Sequence, residues 1–216
     1  MFDELKIKAE NHLLEVEDLV DLAVAKNTDV IPFLKQAIEE YQWEDVVAAK
    51  TSNKVPLATW ATVVIAYLEG GCEGLKRYVY PEKGKYFDTS EFVLAVLDDI
   101  KDKDTIKGII ELFGSLIKKP EISYSLSLKL VNAVNRLLSF PPLVEIDNAD
   151  KEILRTFVYR FLSLYGEEEN PRCSAFCALR GVGDIDSIKK IKSYPKLTGS
   201  YKGTESIVVN AIKSRN

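Results

Sequence analysis

Histidine, methionine and cysteine are nearly missing from this 216-residue chain, which holds one His, one Met and three Cys. A histidine-activated nucleophile or a multi-histidine metal site has almost no material to be built from. The cysteines are odd in number and, apart from Cys173 and Cys177, far apart, so no disulfide framework is expected and a reducing cytoplasm is the simplest compartment. Long apolar runs are also lacking. The longest charge-free stretch, Val55 to Leu68, falls short of the roughly 20 residues that cross a bilayer and reads as a buried helix. Met1 to Leu5 shows no basic segment leading into an apolar run, so no secretory signal is expected. Nor is there a basic excess: 29 Lys and Arg against 33 Asp and Glu give −4, which disfavours nucleic acid or an anionic membrane as a general target.

Strand signals are scarce too. The one candidate is a small hairpin over Tyr78 to Phe87, turning at Lys83-Gly84, and an interhelical loop pinned by aromatics is the stronger reading. What is present is helical periodicity. Leu34, Ala37, Ile38 and Tyr41 follow i, i+3, i+4, i+7, as do Ile106, Ile109, Ile110 and Phe113. Ile153, Leu154, Phe157, Val158, Phe161, Leu162 and Tyr165 form a wider stripe, suited to a helix between two neighbours. Leu57, Trp60, Val64 and Leu68, with alanines on the other faces, predict a central helix. Pro32, Pro56 and Pro171 lie near helix starts, where a missing N–H costs little. Asp29, Asp88 with Glu91, Asp104 and Asp150 read as N-caps.

These signals predict helices near 2–26, 29–42, 44–50, 56–69, 72–79, 89–100, 104–118, 122–139, 150–165, 171–182, 185–193 and 203–214. The expectation is a single all-helical domain over 1–216. Charge is uneven along it: −7 over residues 1–50, −2 over 51–150 and +5 over 151–216.

Pro171-Arg172 is followed by Ala175, Ala178-Leu179, Gly181-Val182-Gly183-Asp184, Ser187-Ile188 and Ile191. This phrase resembles a HEAT repeat of the short, phycobilisome-lyase type, best matched over 171–192, with 150–214 the most repeat-like part. Arg180 stands where that pattern favours Gly, and Lys189 where it favours Pro. The resemblance implies an all-α fold of antiparallel helix pairs stacked as a right-handed α-solenoid (an α-α superhelix), with a concave surface and no built-in reaction centre. Independently of the family, Gly183 can supply a left-handed residue after one helix and Asp184 can cap the next.

Chemistry-bearing residues are sparse. His12 has no evident partner and reads as an ordinary imidazole. Cys173 and Cys177 share a helix face and could give two metal ligands, but the others would have to be the remote Cys72 and His12, so packing is the better reading and no metal is expected. Gly181-Val182-Gly183 follows a helix rather than a strand and is no phosphate cradle. With no catalytic constellation visible, the chain is expected not to be an enzyme and to need no cofactor.

Two surfaces remain as candidates. Glu39, Glu40, Glu44 and Asp45 surround Tyr41 and Trp43, joining negative charge to large aromatic anchors, and Glu167, Glu168 and Glu169 form a second acidic loop. Against them, Arg155, Arg160, Arg172, Arg180, Lys189, Lys190 and Lys192 interleave with Tyr159, Tyr165 and Tyr194 in a mild basic–aromatic pattern. The acidic pattern leads to a non-enzymatic protein–protein interaction module with a basic protein partner. In size, charge and architecture the chain resembles bacterial immunity proteins, which implies occlusion of a cognate toxin. The alternatives are a HEAT-like DNA-binding protein or DNA glycosylase working through the basic C-terminal third, and a scaffold or chaperone subunit of a larger assembly.

Overall fold

The computed structural model describes residues 2–11, 13–40, 57–79, 93–94, 96–97, 108–112, 114, 123–139 and 145–215. Among these residues the chain is all-α, without strands. It divides into two compact units, 1–100 and 101–216. The expected helix 44–50, the hairpin candidate beyond Val79, and the expected caps Asp88, Glu91 and Asp104 lie outside the described residues.

The first unit holds α1 (Phe2–Glu10), α2 (Val16–Val24), α3 (Ile31–Glu40) and α4 (Leu57–Val79). Its core is built on α4, against which α2 and α3 pack. Leu57, Trp60, Val64 and Leu68 are buried there, as are Ala58, Ala61 and Ala66 on the other faces, which is the all-round burial the charge-free segment implied. Leu19, Leu22 and Leu34 face them fully buried, and each such side chain contributes about 1.5–3 kcal/mol of hydrophobic stabilisation.

Gly71 breaks α4 with φ of +56°, and the chain doubles back so closely that a Cβ on Gly74 would lie 3.2 Å from the carbonyl carbon of Ala66 and closer still to its oxygen. The break falls where the sequence predicted one, between 56–69 and 72–79.

The expected helix 2–26 is instead two helices, α1 and α2. Asp18 accepts a hydrogen bond from the Glu15 amide at 2.9 Å and an ion pair from Lys8 at 2.6 Å, so one carboxylate both starts α2 and joins it to α1. Two other caps differ from expectation. Asn27, not Asp29, caps the 3₁₀ turn Thr28–Val30 before α3, its side chain accepting from the Asp29 amide at 3.2 Å.

The second unit contains α5 (Tyr124–Leu138), α6 (Asn148–Tyr165), α7 (Glu169–Val182), α8 (Ile185–Lys192) and α9 (Thr204–Arg215). Asp147 rather than Asp150 caps α6; its carboxylate accepts from the Asp150 amide at 2.8 Å. The central element is α7, packed against α5, α6 and α9. Its small residues permit this: Ala175 and Ala178 are fully buried with Phe176 and Leu179, and a Cβ on Gly181 would lie 2.6 Å from the Leu138 carbonyl carbon at the end of α5.

Gly183 follows α7 as expected, but its backbone is extended, at φ −69° and ψ 153°, not left-handed. Crowding favours glycine there, since a Cβ would lie 2.5 Å from the Leu179 carbonyl oxygen of α7 and 2.8 Å from Ile212 Cδ1 on α9. Asp184 does cap α8: its carboxylate accepts from the Ser187 amide at 2.8 Å, and Ser187 Oγ accepts from the Asp184 amide at 3.0 Å.

Candidate functional site

Of the first acidic segment, Tyr41, Trp43, Glu44 and Asp45 lie outside the described residues, as does His12. Glu39 and Glu40 occupy the last turn of α3, both exposed. Glu40 accepts a hydrogen bond from Gln36 at 2.5 Å, and Glu39 has no hydrogen-bond or ion-pair partner among the described residues. No basic residue lies in the last described turn of α3 beside them. Other acids of the unit are solvent-facing too, with Glu17 and Asp21 four apart on α2 and exposed. Exposed apolar side chains accompany them on the first helix pair: Ile7, Leu13 and Val24 are 58%, 65% and 45% accessible.

The second acidic loop is divided in role. Glu167 and Glu168 are exposed. Glu169 is bound inward at the start of α7, accepting from the Thr198 hydroxyl at 2.9 Å and from the Thr198 amide, so it ties the loop after α8 to α7. Those bonds lower its pKa from the usual carboxylate value. Beneath the loop lies Arg172, 4% exposed, whose guanidinium donates to the Gly166 and Glu167 carbonyls at 2.7 and 3.0 Å. Its charge, read from sequence as part of a basic surface, acts as an internal staple between α6 and α7.

The remaining basic–aromatic residues are largely engaged. Tyr159 shares a 2.6 Å hydrogen bond with Ser187. Tyr165 packs against Tyr124 and Phe161, and Tyr194 packs edge-on to Phe176. Lys189 pairs with Asp186 at 2.8 Å. Cys173 and Cys177 are free thiols on α7, and burial, reinforced by Cys173, pushes the Cys177 thiol up to about 11, so it is protonated and non-nucleophilic at neutral pH.

Among the described residues no group of three His, Cys, Asp or Glu could hold a metal ion, and no helix is long and apolar enough to cross a membrane.

One feature has no counterpart in the sequence reading. A recess of about 270 Å³ opens beside the α7–α8 turn, lined by Asn148, Lys151, Arg155, Gly183, Asp184 and Arg215 among others. Its residues come from the start of α6, the turn and the end of α9, about 30 residues apart at each step. Arg155 donates to the Val182 carbonyl at 3.1 Å and pairs with Asp184 at 3.3 Å and with Glu152. Arg215 donates to the Arg180 carbonyl and, at 3.4 Å, to the Gly183 carbonyl.

Comparison with protein-family models, curated proteins and solved structures found no match.

Proposed function

We propose that the protein is a non-catalytic binding module whose acidic N-terminal unit engages a basic protein partner. The observation that carries this reading is the acidity of that unit: residues 1–100 contain 19 acids and 10 bases, a net of −9, and Glu17, Asp21, Glu39 and Glu40 are exposed with no basic partner among the described residues. Exposed Ile7, Leu13 and Val24 offer apolar contacts in the same unit.

The scaffold fits a helical-repeat module of the HEAT type. In residues 101–216 the central helix α7 packs on α5 and α9, its neighbours but one in the chain, as stacked helix pairs require. A nucleic-acid reading of the C-terminal third has less support, because Tyr165 and Tyr194 are committed to internal ring contacts and Arg172 is buried. A toxin is the partner class that best combines high basicity with the benefit of an occluding acidic inhibitor.

The test is to identify the protein that co-purifies from the native cell, purify both and titrate them at low and high ionic strength. A basic partner whose affinity falls about tenfold or more with salt, and again with Glu39→Lys/Glu40→Lys, is the expected outcome. Binding indifferent to both salt and the substitutions would overturn the proposal.

A further inference from the structure

The recess beside the α7–α8 turn lies wholly in the second unit and is independent of the acidic surface. Its lining brings together three cations, Lys151, Arg155 and Arg215, and one carboxylate, Asp184. Asp184 is committed: burial alone would raise its pKa, but the Ser187 amide and hydroxyl and the Arg155 guanidinium outweigh that and lower it, so it is ionised at neutral pH. It makes a 3.3 Å ion pair with Arg155, whose guanidinium also pairs with Glu152, a residue outside the lining.

The other two cations are not neutralised. Lys151 is half-buried, and its ammonium has no hydrogen-bond or ion-pair partner among the described residues. Arg215 is held only by backbone carbonyls, which orient a guanidinium without cancelling its charge. Two like charges therefore face one polar recess with a net lining charge of +2. A cavity of about 270 Å³ exceeds what one tetrahedral oxyanion fills, leaving room for several atoms attached to it.

We infer that this recess is a binding site for a dianionic phosphate monoester, with Lys151 and Arg215 supplying the two charges that a dianion balances. Arg155 stays locked by Asp184 and shapes the wall between them. A phosphodiester carries one negative charge and a carboxylate one, so both leave a cation unbalanced. The ester oxygen points to one of two sources, a small phosphorylated metabolite or a phosphorylated side chain of another protein.

The experiment is an amide-resolved NMR titration of the full chain with inorganic phosphate, glycerol phosphate and a phosphoserine peptide, with dimethyl phosphate and acetate as monoanions. The monoesters should give saturable shifts at Asn148, Gly183 and Asp184, weakening as pH falls below about 6, where phosphate loses its second charge. Lys151→Met and Arg215→Met should each weaken binding by about tenfold or more, whereas Lys192→Met, an exposed residue outside the recess, should not.

Tighter binding of glycerol phosphate than of the peptide assigns the site to a small molecule, and the reverse assigns it to a phosphorylated protein. Shifts that do not saturate, that are equal for dimethyl phosphate and acetate, or that persist in Lys151→Met overturn the inference. Lys151 has no partner for its ammonium among the described residues, so that variant keeps the test decisive should Arg215→Met alter the end of α9.

Discussion

The two units carry opposite net charge. In residues 1–100, acids outnumber bases 19 to 10, and carboxylates such as Glu17, Asp21 and Glu39 stand at the surface without partners among the described residues. In residues 101–216, bases outnumber acids 19 to 14, and key charges are worked into the fold: Arg172 under the loop after α6, Arg155 on Asp184, Glu169 on Thr198. A charge that bonds inward stabilises its own unit, whereas one left outward adds self-repulsion and is free to meet a partner. The first unit also joins helices with charge, through Lys8–Asp18 and Lys35–Glu69, so the units differ in their balance of charge rather than in whether ion pairs join their helices.

The largest expected effect tests the close packing beneath both patterns. Gly181→Ala places a Cβ against the Leu138 backbone, where no side-chain end can yield, and should destabilise the second unit by about 3 kcal/mol in urea denaturation. Gly74→Ala, against the Ala66 backbone, should cost the first unit a similar amount, showing that the units differ in charge rather than in how their helices approach.

Next comes the buried staple. Arg172→Met keeps much of the apolar stem but leaves the Gly166 and Glu167 carbonyls without their donor, and should lower stability by about 2 kcal/mol by the same measurement.

A smaller effect is expected at the α8 cap. Asp184→Ala should cost about 1 kcal/mol. Because the Asp184 pKa is lowered in the folded chain, its contribution is complete above the unfolded value near pH 4 and is lost as pH falls through the lower folded value. Stability measured between about pH 5 and 2 should therefore fall less steeply in Asp184→Asn than in the parent.

Much of this architecture was legible in the sequence. The stripes on α4 and α6, the break at Gly71 and the pair α7–α8 turning at Gly183-Asp184 follow from periodicity and capping chemistry. The split at 11–15 was hidden, because it depends on Asp18 reaching back to the Glu15 amide while pairing with Lys8, a contact no local pattern announces. Asp29 and Asp150 are good capping residues outcompeted by Asn27 and Asp147 a few positions earlier.

Glycine at 183 answers to crowding by the Leu179 carbonyl oxygen of α7 and by Ile212 on α9 rather than to a left-handed backbone. The burial of Arg172 and the convergence of Lys151, Arg155 and Arg215 were invisible in the sequence. Both are products of tertiary packing between segments that are ordinary when read singly. The signal available for the recess was only the basic drift of the last 66 residues.

The smallest effect on stability carries the most about function. Glu39→Lys/Glu40→Lys exchanges two exposed charges and should change stability by less than about 0.5 kcal/mol. The measurement that tests the central claim most directly is urea denaturation of this double variant beside titration of the same preparation with the purified basic partner. A variant as stable as the parent that binds its partner at least about tenfold more weakly would establish acidity retained for binding. A variant that binds as well as the parent would contradict the account.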